Sequence, residues 1–61
     1  MAHYTIFEQN NGNQINTHNL GAVSLEVAVE YFDSVCENMA TEVFLYSDTS
    51  SKPIKYREQL G

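Results

Sequence analysis

Residues 24–39, SLEVAVEYFDSVCENM, are the one stretch of this chain with a sustained helical period, and their reading decides the fold. At about 100° per residue, Leu25, Ala28, Val29, Phe32, Val35, Cys36 and Met39 gather within an arc of about 120°, the width of a stripe that faces a core. Ser24 is placed to cap the first turn, because its hydroxyl accepts from amides that have no partner within the helix, and Glu26 complements the positive end of the helix dipole. The other end is marked only by Asn38, a residue that tolerates the left-handed conformation closing many helices. No Gly follows it. The helix is expected to stop between Asn38 and Ala40.

The flanking segments read as strands. Upstream, residues 3–9, HYTIFEQ, have the Tyr, Thr, Ile and Phe content of a strand, and Asn11-Gly12 is the preferred pair for a two-residue hairpin because both positions require positive φ. With that loop and an unbroken ladder, Ile6 faces Thr17 and Thr5 faces His18. Tyr4, Ile6 and Ile15 then enter the core, while His3, Thr5, Phe7, His18 and Leu20 take the opposite face. The second strand, residues 14–19, is polar and suits an edge position. Downstream, residues 42–47, EVFLYS, form the most strand-like run, a polar loop follows, and residues 54–57 close a second hairpin. Residues 59–61 read as a loose tail.

The order strand, strand, helix, strand, strand predicts a single α+β domain over residues 1–61, a β-β-α-β-β chain with a small antiparallel four-stranded sheet and one helix packed on one face. Val43, Leu45, Ile54 and Tyr56 are expected to complete the core. The uncovered face is expected to carry Phe7, Phe44, Tyr46, Lys55 and Arg57, a sheet-face interface suited to a homodimer.

Charge is unevenly spread over the 61 residues, whose formal net charge is −5. Every Lys and Arg lies after residue 51 (Lys52, Lys55, Arg57), where only Glu58 opposes them. Half of the eight acidic residues, Glu26, Glu30, Asp33 and Glu37, share one ridge of the helix within an arc of about 60°. Like charges at this spacing repel by about 0.2 to 0.5 kcal/mol per pair, which a Lys at any of these positions would have relieved. The field disfavours nucleic acid and anionic membranes and favours another protein with a basic surface. A single-stranded nucleic acid stacked on the aromatic face is the remaining, weaker alternative.

The chemistry-bearing residues do not assemble into a catalytic pattern. Cys36, the only cysteine, sits on the apolar helix stripe and reads as a buried, inert thiol. Ser24 is used as a cap, His3 and His18 lack a third strong ligand, and there is no Gly-rich phosphate loop, so neither an enzyme, a metal nor a cofactor is expected. The N-terminus has no basic region followed by an apolar run, and no segment has the length of a membrane span, which leaves the cytoplasm as the expected location. The leading expectation is a small acidic protein-binding module, an inhibitor among the candidates, that presents its helix ridge to a nucleic-acid-handling protein. Virus-encoded antagonists of such proteins offer an analogy of size and charge only.

Overall fold

Asn11 and Gly12 take positive φ, 54° and 82°, so the first turn has the handedness that a two-residue hairpin needs. It joins β1 (His3–Asn10) to β2 (Asn13–Ala22) in a computed structural model that describes residues 2–60. The chain continues through α1 (Leu25–Asn38), β3 (Glu42–Ser47) and β4 (Lys55–Arg57). One antiparallel sheet results, in the order β2-β1-β3-β4, with the helix across one face. The expected α+β architecture is therefore the observed one. No described helix is long and apolar enough to cross a membrane.

The core lies between the sheet and the helix. Tyr4, Ile6, Val43 and Leu45 from the two central strands meet Ala28, Phe32 and Val35, and Leu20, Val23, Val29 and Cys36 pack against its margin. The stripe expected from the helical period is thus buried at its centre, while Leu25 and Met39 at its ends are exposed.

Two departures from a regular ladder reassign the faces. After Asn10↔Asn13 and Gln9↔Gln14, the register jumps to Glu8↔Asn16, leaving Ile15 as the extra residue of a bulge. Ile15 is 50% exposed instead of buried. From Asn16 to Asn19 the β2 side chains have exchanged faces relative to the unbroken ladder, because side chains alternate with a period of two. His18 pairs with Ile6 on the helix side. A second shift, between Tyr4↔Gly21 and Thr5↔Asn19, turns Leu20 toward the core margin and away from the open face. Gly21 accommodates it at φ 72°.

The second hairpin is also offset by one from expectation. Its pairs are Val43↔Arg57, Phe44↔Tyr56 and Leu45↔Lys55, so Lys55 and Arg57 turn to the helix side and Tyr56 to the open face. Ile54, before the strand, is 41% exposed. Neither Ile54 nor Tyr56 joins the core.

Both helix ends are capped, by different means. At the start, Ser24 Oγ accepts from the Val27 amide at 3.3 Å, as its position predicts. At the end, no left-handed residue closes the helix, since Met39 is extended at φ −126°. Arg57 takes that role from β4. Its guanidinium donates to the carbonyl oxygens of Cys36 and Thr41 and, at 2.7 Å, to that of Met39. A cation thereby meets the negative end of the helix dipole, which lacks a basic residue in its own last turn. The tail is tied down as well: the Gln59 side chain accepts from the Asn11 amide at 3.1 Å and donates to Asn10 Oδ1 at 3.0 Å, and the Leu60 amide donates to Ala40 O at 2.8 Å. The loose tail expected for residues 59–61 is therefore anchored at Gln59 and Leu60, and Gly61 lies outside the described residues.

Arg57→Ala should lower unfolding free energy by about 1.5 to 3 kcal/mol in urea titration, the range for hydrogen bonds to a charged donor, two of the three here being part-buried. Arg57→Lys should recover less than half of that, because a single ammonium cannot span three carbonyls as the planar fork does.

Candidate functional site

Three features on the two sides of the sheet have the chemistry to do something, and the fold determines each. The first is the polar cluster beneath the end of the helix. The alternation of β1 that buries Tyr4 and Ile6 also buries Glu8, which is 1% exposed. A carboxylate there requires partners. His18 Nε2 lies against one oxygen, and Thr41 Oγ1 donates to the other at 3.3 Å. Tyr31, on the flank of the helix, sets its ring 5.9 Å from that of His18. Glu8, His18 and Tyr31 line a cleft of 330 Å³ between the helix and β2, completed by Asn16, Ser34, Val35, Asn38 and Met39. Both oxygens of Glu8 are engaged from within, so the cluster satisfies its own hydrogen bonds. The sequence alone places His18 on the opposite face, gives Tyr31 no role and reads Asn38 only as the end of the helix. The signal for Glu8 was present in its spacing from Tyr4 and Ile6.

The second feature is the helix ridge. Glu26, Glu30, Asp33 and Glu37 are all exposed on the side of α1 turned away from the sheet. Lys55, expected on the open sheet face, instead reaches under the helix edge. Its Nζ lies 3.8 Å from Asp33 Oδ1 and 5.6 Å from the centre of the Phe32 ring. With side chains 41% and 60% exposed, this ion pair is solvent-screened and relieves the ridge at one position only. Next to it, burial pushes the Cys36 thiol above its ordinary value, with Arg57 opposing and Asp33 adding to the shift. A raised value keeps the sulfur protonated.

The third feature is the open sheet face. Phe7 and Phe44 are direct cross-strand partners, and Tyr46 and Tyr56 flank them. Ring centres lie 5.4 Å apart for Phe7 and Tyr46, in an edge-to-face arrangement, 4.9 Å for Phe44 and Tyr56, and 6.3 Å for Phe44 and Tyr46. The structure thus brings together Phe7, Phe44 and Tyr46 of the expected set, adds Tyr56, and removes Lys55 and Arg57. No Lys or Arg projects from the described strands on this side. The phenol of Tyr56 donates to Glu42 Oε2 at 2.5 Å, and this bond to a carboxylate raises its pKa from 10.0 to about 12.

No protein-family model, curated protein or solved structure matches this chain. The surfaces therefore rest on their own chemistry.

Two outcomes test the geometry. His18→Ala should cost about 2 kcal/mol in chemical denaturation by leaving one oxygen of the buried Glu8 without its hydrogen-bond partner. The double variant Glu8→Met, His18→Ala should regain most of that loss, because a buried pair replaced by apolar groups is close to neutral. Separately, absorbance titration at 295 nm should show one tyrosine ionising near pH 12, and Glu42→Gln should return it toward 10. The folded value exceeds the unfolded one, so this hydrogen bond favours the folded state below pH 10 and its contribution disappears as pH rises through 12.

Proposed function

We propose that the chain is a small cytoplasmic protein-binding module whose helix ridge engages a basic site on a larger, nucleic-acid-handling protein, inhibition following where that site is the one its own ligand needs. The observation that carries this reading is the ridge itself: Glu26, Glu30, Asp33 and Glu37 stand exposed in a row, and Lys55 is the one cation beside them among the described residues. Intervals of four, three and four residues at 1.5 Å rise space the carboxylates by about 5.5 Å on average, which suits a row of Arg or Lys side chains. Retaining four acids against their mutual repulsion is the kind of local conflict that function explains.

The single-stranded nucleic-acid alternative loses its support. It required Lys55 and Arg57 beside the aromatic rings, and both point to the helix side. A stacking surface without cations has nothing to neutralise phosphates.

The test is capture of partners from lysate on the immobilised chain, followed by titration calorimetry with the partner recovered. Glu30→Lys with Glu37→Lys should weaken binding by at least about tenfold and flatten its dependence on salt. Asp33 is left intact because a Lys there would face Lys55. Affinity unchanged by the double reversal would remove the ridge as the binding surface.

A further inference from the structure

We infer that the open sheet face is a self-association surface, and that a second copy of this chain covers it through the aromatic cluster of Phe7, Phe44, Tyr46 and Tyr56. Those rings lie at the middle of the sheet, on its two central strands and on β4, and Tyr56 is 48% exposed. The ridge plays no part in this contact.

Three observations select a second copy as the occupant. The first is charge. A chain of net charge −5 repels its own kind wherever like charges meet, yet this face is nearly free of them. Its one acidic group among β3 and β4 is Glu42, already tied to the Tyr56 phenol, and Lys55 and Arg57 turn away. The acidic ridge lies on the far side of the helix. Two copies stacked sheet to sheet hold their ridges on opposite outer surfaces, separated by two sheets and two helices, well beyond a Debye length of about 8 Å at physiological salt. A basic or acidic partner, by contrast, would find on β3 and β4 only Glu42, already hydrogen-bonded to Tyr56.

The second observation is area. The two longer dimensions of the molecule, 34 and 21 Å, bound its broad side at about 700 Å², of the order of the roughly 800 Å² per partner of a standard stable interface. The third is need. Among the described residues only seven apolar side chains are buried, and a single cysteine allows no internal disulfide. Chains of this length commonly gain the remainder of their stability from association. The contact would be isologous, each copy offering the same four rings, and Phe and Tyr are residues enriched at the centres of such interfaces.

Sedimentation equilibrium from micromolar to millimolar concentration tests the inference directly. The mass should rise with concentration from 6.9 kDa to twice that value. Phe44→Glu and, independently, Tyr56→Lys should hold the mass at that of the monomer while far-ultraviolet circular dichroism keeps the native signal. Tyr56 is the safer position because its ring is half exposed. Glu30→Lys with Glu37→Lys should dimerise as the wild type does, which separates this surface from the ridge. A wild-type chain that stays monomeric to millimolar concentration overturns the inference, as does a dimer that survives both face variants in folded form.

Discussion

The Glu8 carboxylate, closed off from solvent beneath the helix, is the constraint on which the rest of the molecule turns. A buried carboxylate without partners is worth several kcal/mol of instability, a large fraction of what a domain this small can have. Its partners come from everywhere else in the fold. His18 arrives from β2, Thr41 from the segment after the helix, and Tyr31 sets its ring, tilted by 58°, beside that of His18 from the helix itself. Thr41 is held in turn by Arg57 of β4 through its carbonyl oxygen. One polar chain, Arg57 to Thr41 to Glu8 to His18 to Tyr31, therefore links β4, the segment between the helix and β3, β1, β2 and the helix. Every buried polar side-chain atom among the described residues has a partner.

The bulge at Ile15 is what makes this network possible. In an unbroken ladder Thr17 would lie beneath the helix and His18 would face solvent on the other side, leaving Glu8 with only Thr41. Inserting one residue exposes Ile15, at the expense of about 1 to 2 kcal/mol of burial, and places an imidazole against the carboxylate. Losing an apolar contact is the smaller penalty of the two.

This exchange also explains what the sequence could and could not tell. The number, order and type of the elements were legible, because the Asn11-Gly12 turn, the Ser24 cap and the helical stripe around Phe32 are local signals that agree with the global fold. The register of β2 was not. Gln14, Asn16, Thr17, His18 and Asn19 are all polar, so no hydrophobic alternation says which residue is doubled, and the decision is made across the sheet by Glu8. For β4 the alternation was misleading: Ile54 and Tyr56 look like core positions, but the three-residue strand pairs so that Lys55 covers Phe32 and Arg57 closes the helix. The absence of a Gly after Asn38 was the one hint that something outside the helix had to satisfy its last carbonyls. Of the surfaces, the ridge was readable in full, since it depends on helix geometry alone. The open face was readable only in its β1 and β3 rings, because membership of the rest depended on register.

Arg57 and Gln59 bear also on how the chain reaches this state. The first hairpin joins neighbours in sequence and can close within microseconds, but the clasp of Gln59 onto Asn10 and Asn11 spans 48 and 49 residues, and the helix cap reaches back from a strand made after it. Contacts of such separation raise the contact order and slow folding, since loop entropy is lost before the reward is collected. On a chain emerging from the ribosome, β1, β2 and the helix appear with Glu8 half-partnered and the helix end open. The polar network closes only when β4 joins the sheet and brings Arg57 to Thr41 and the helix end.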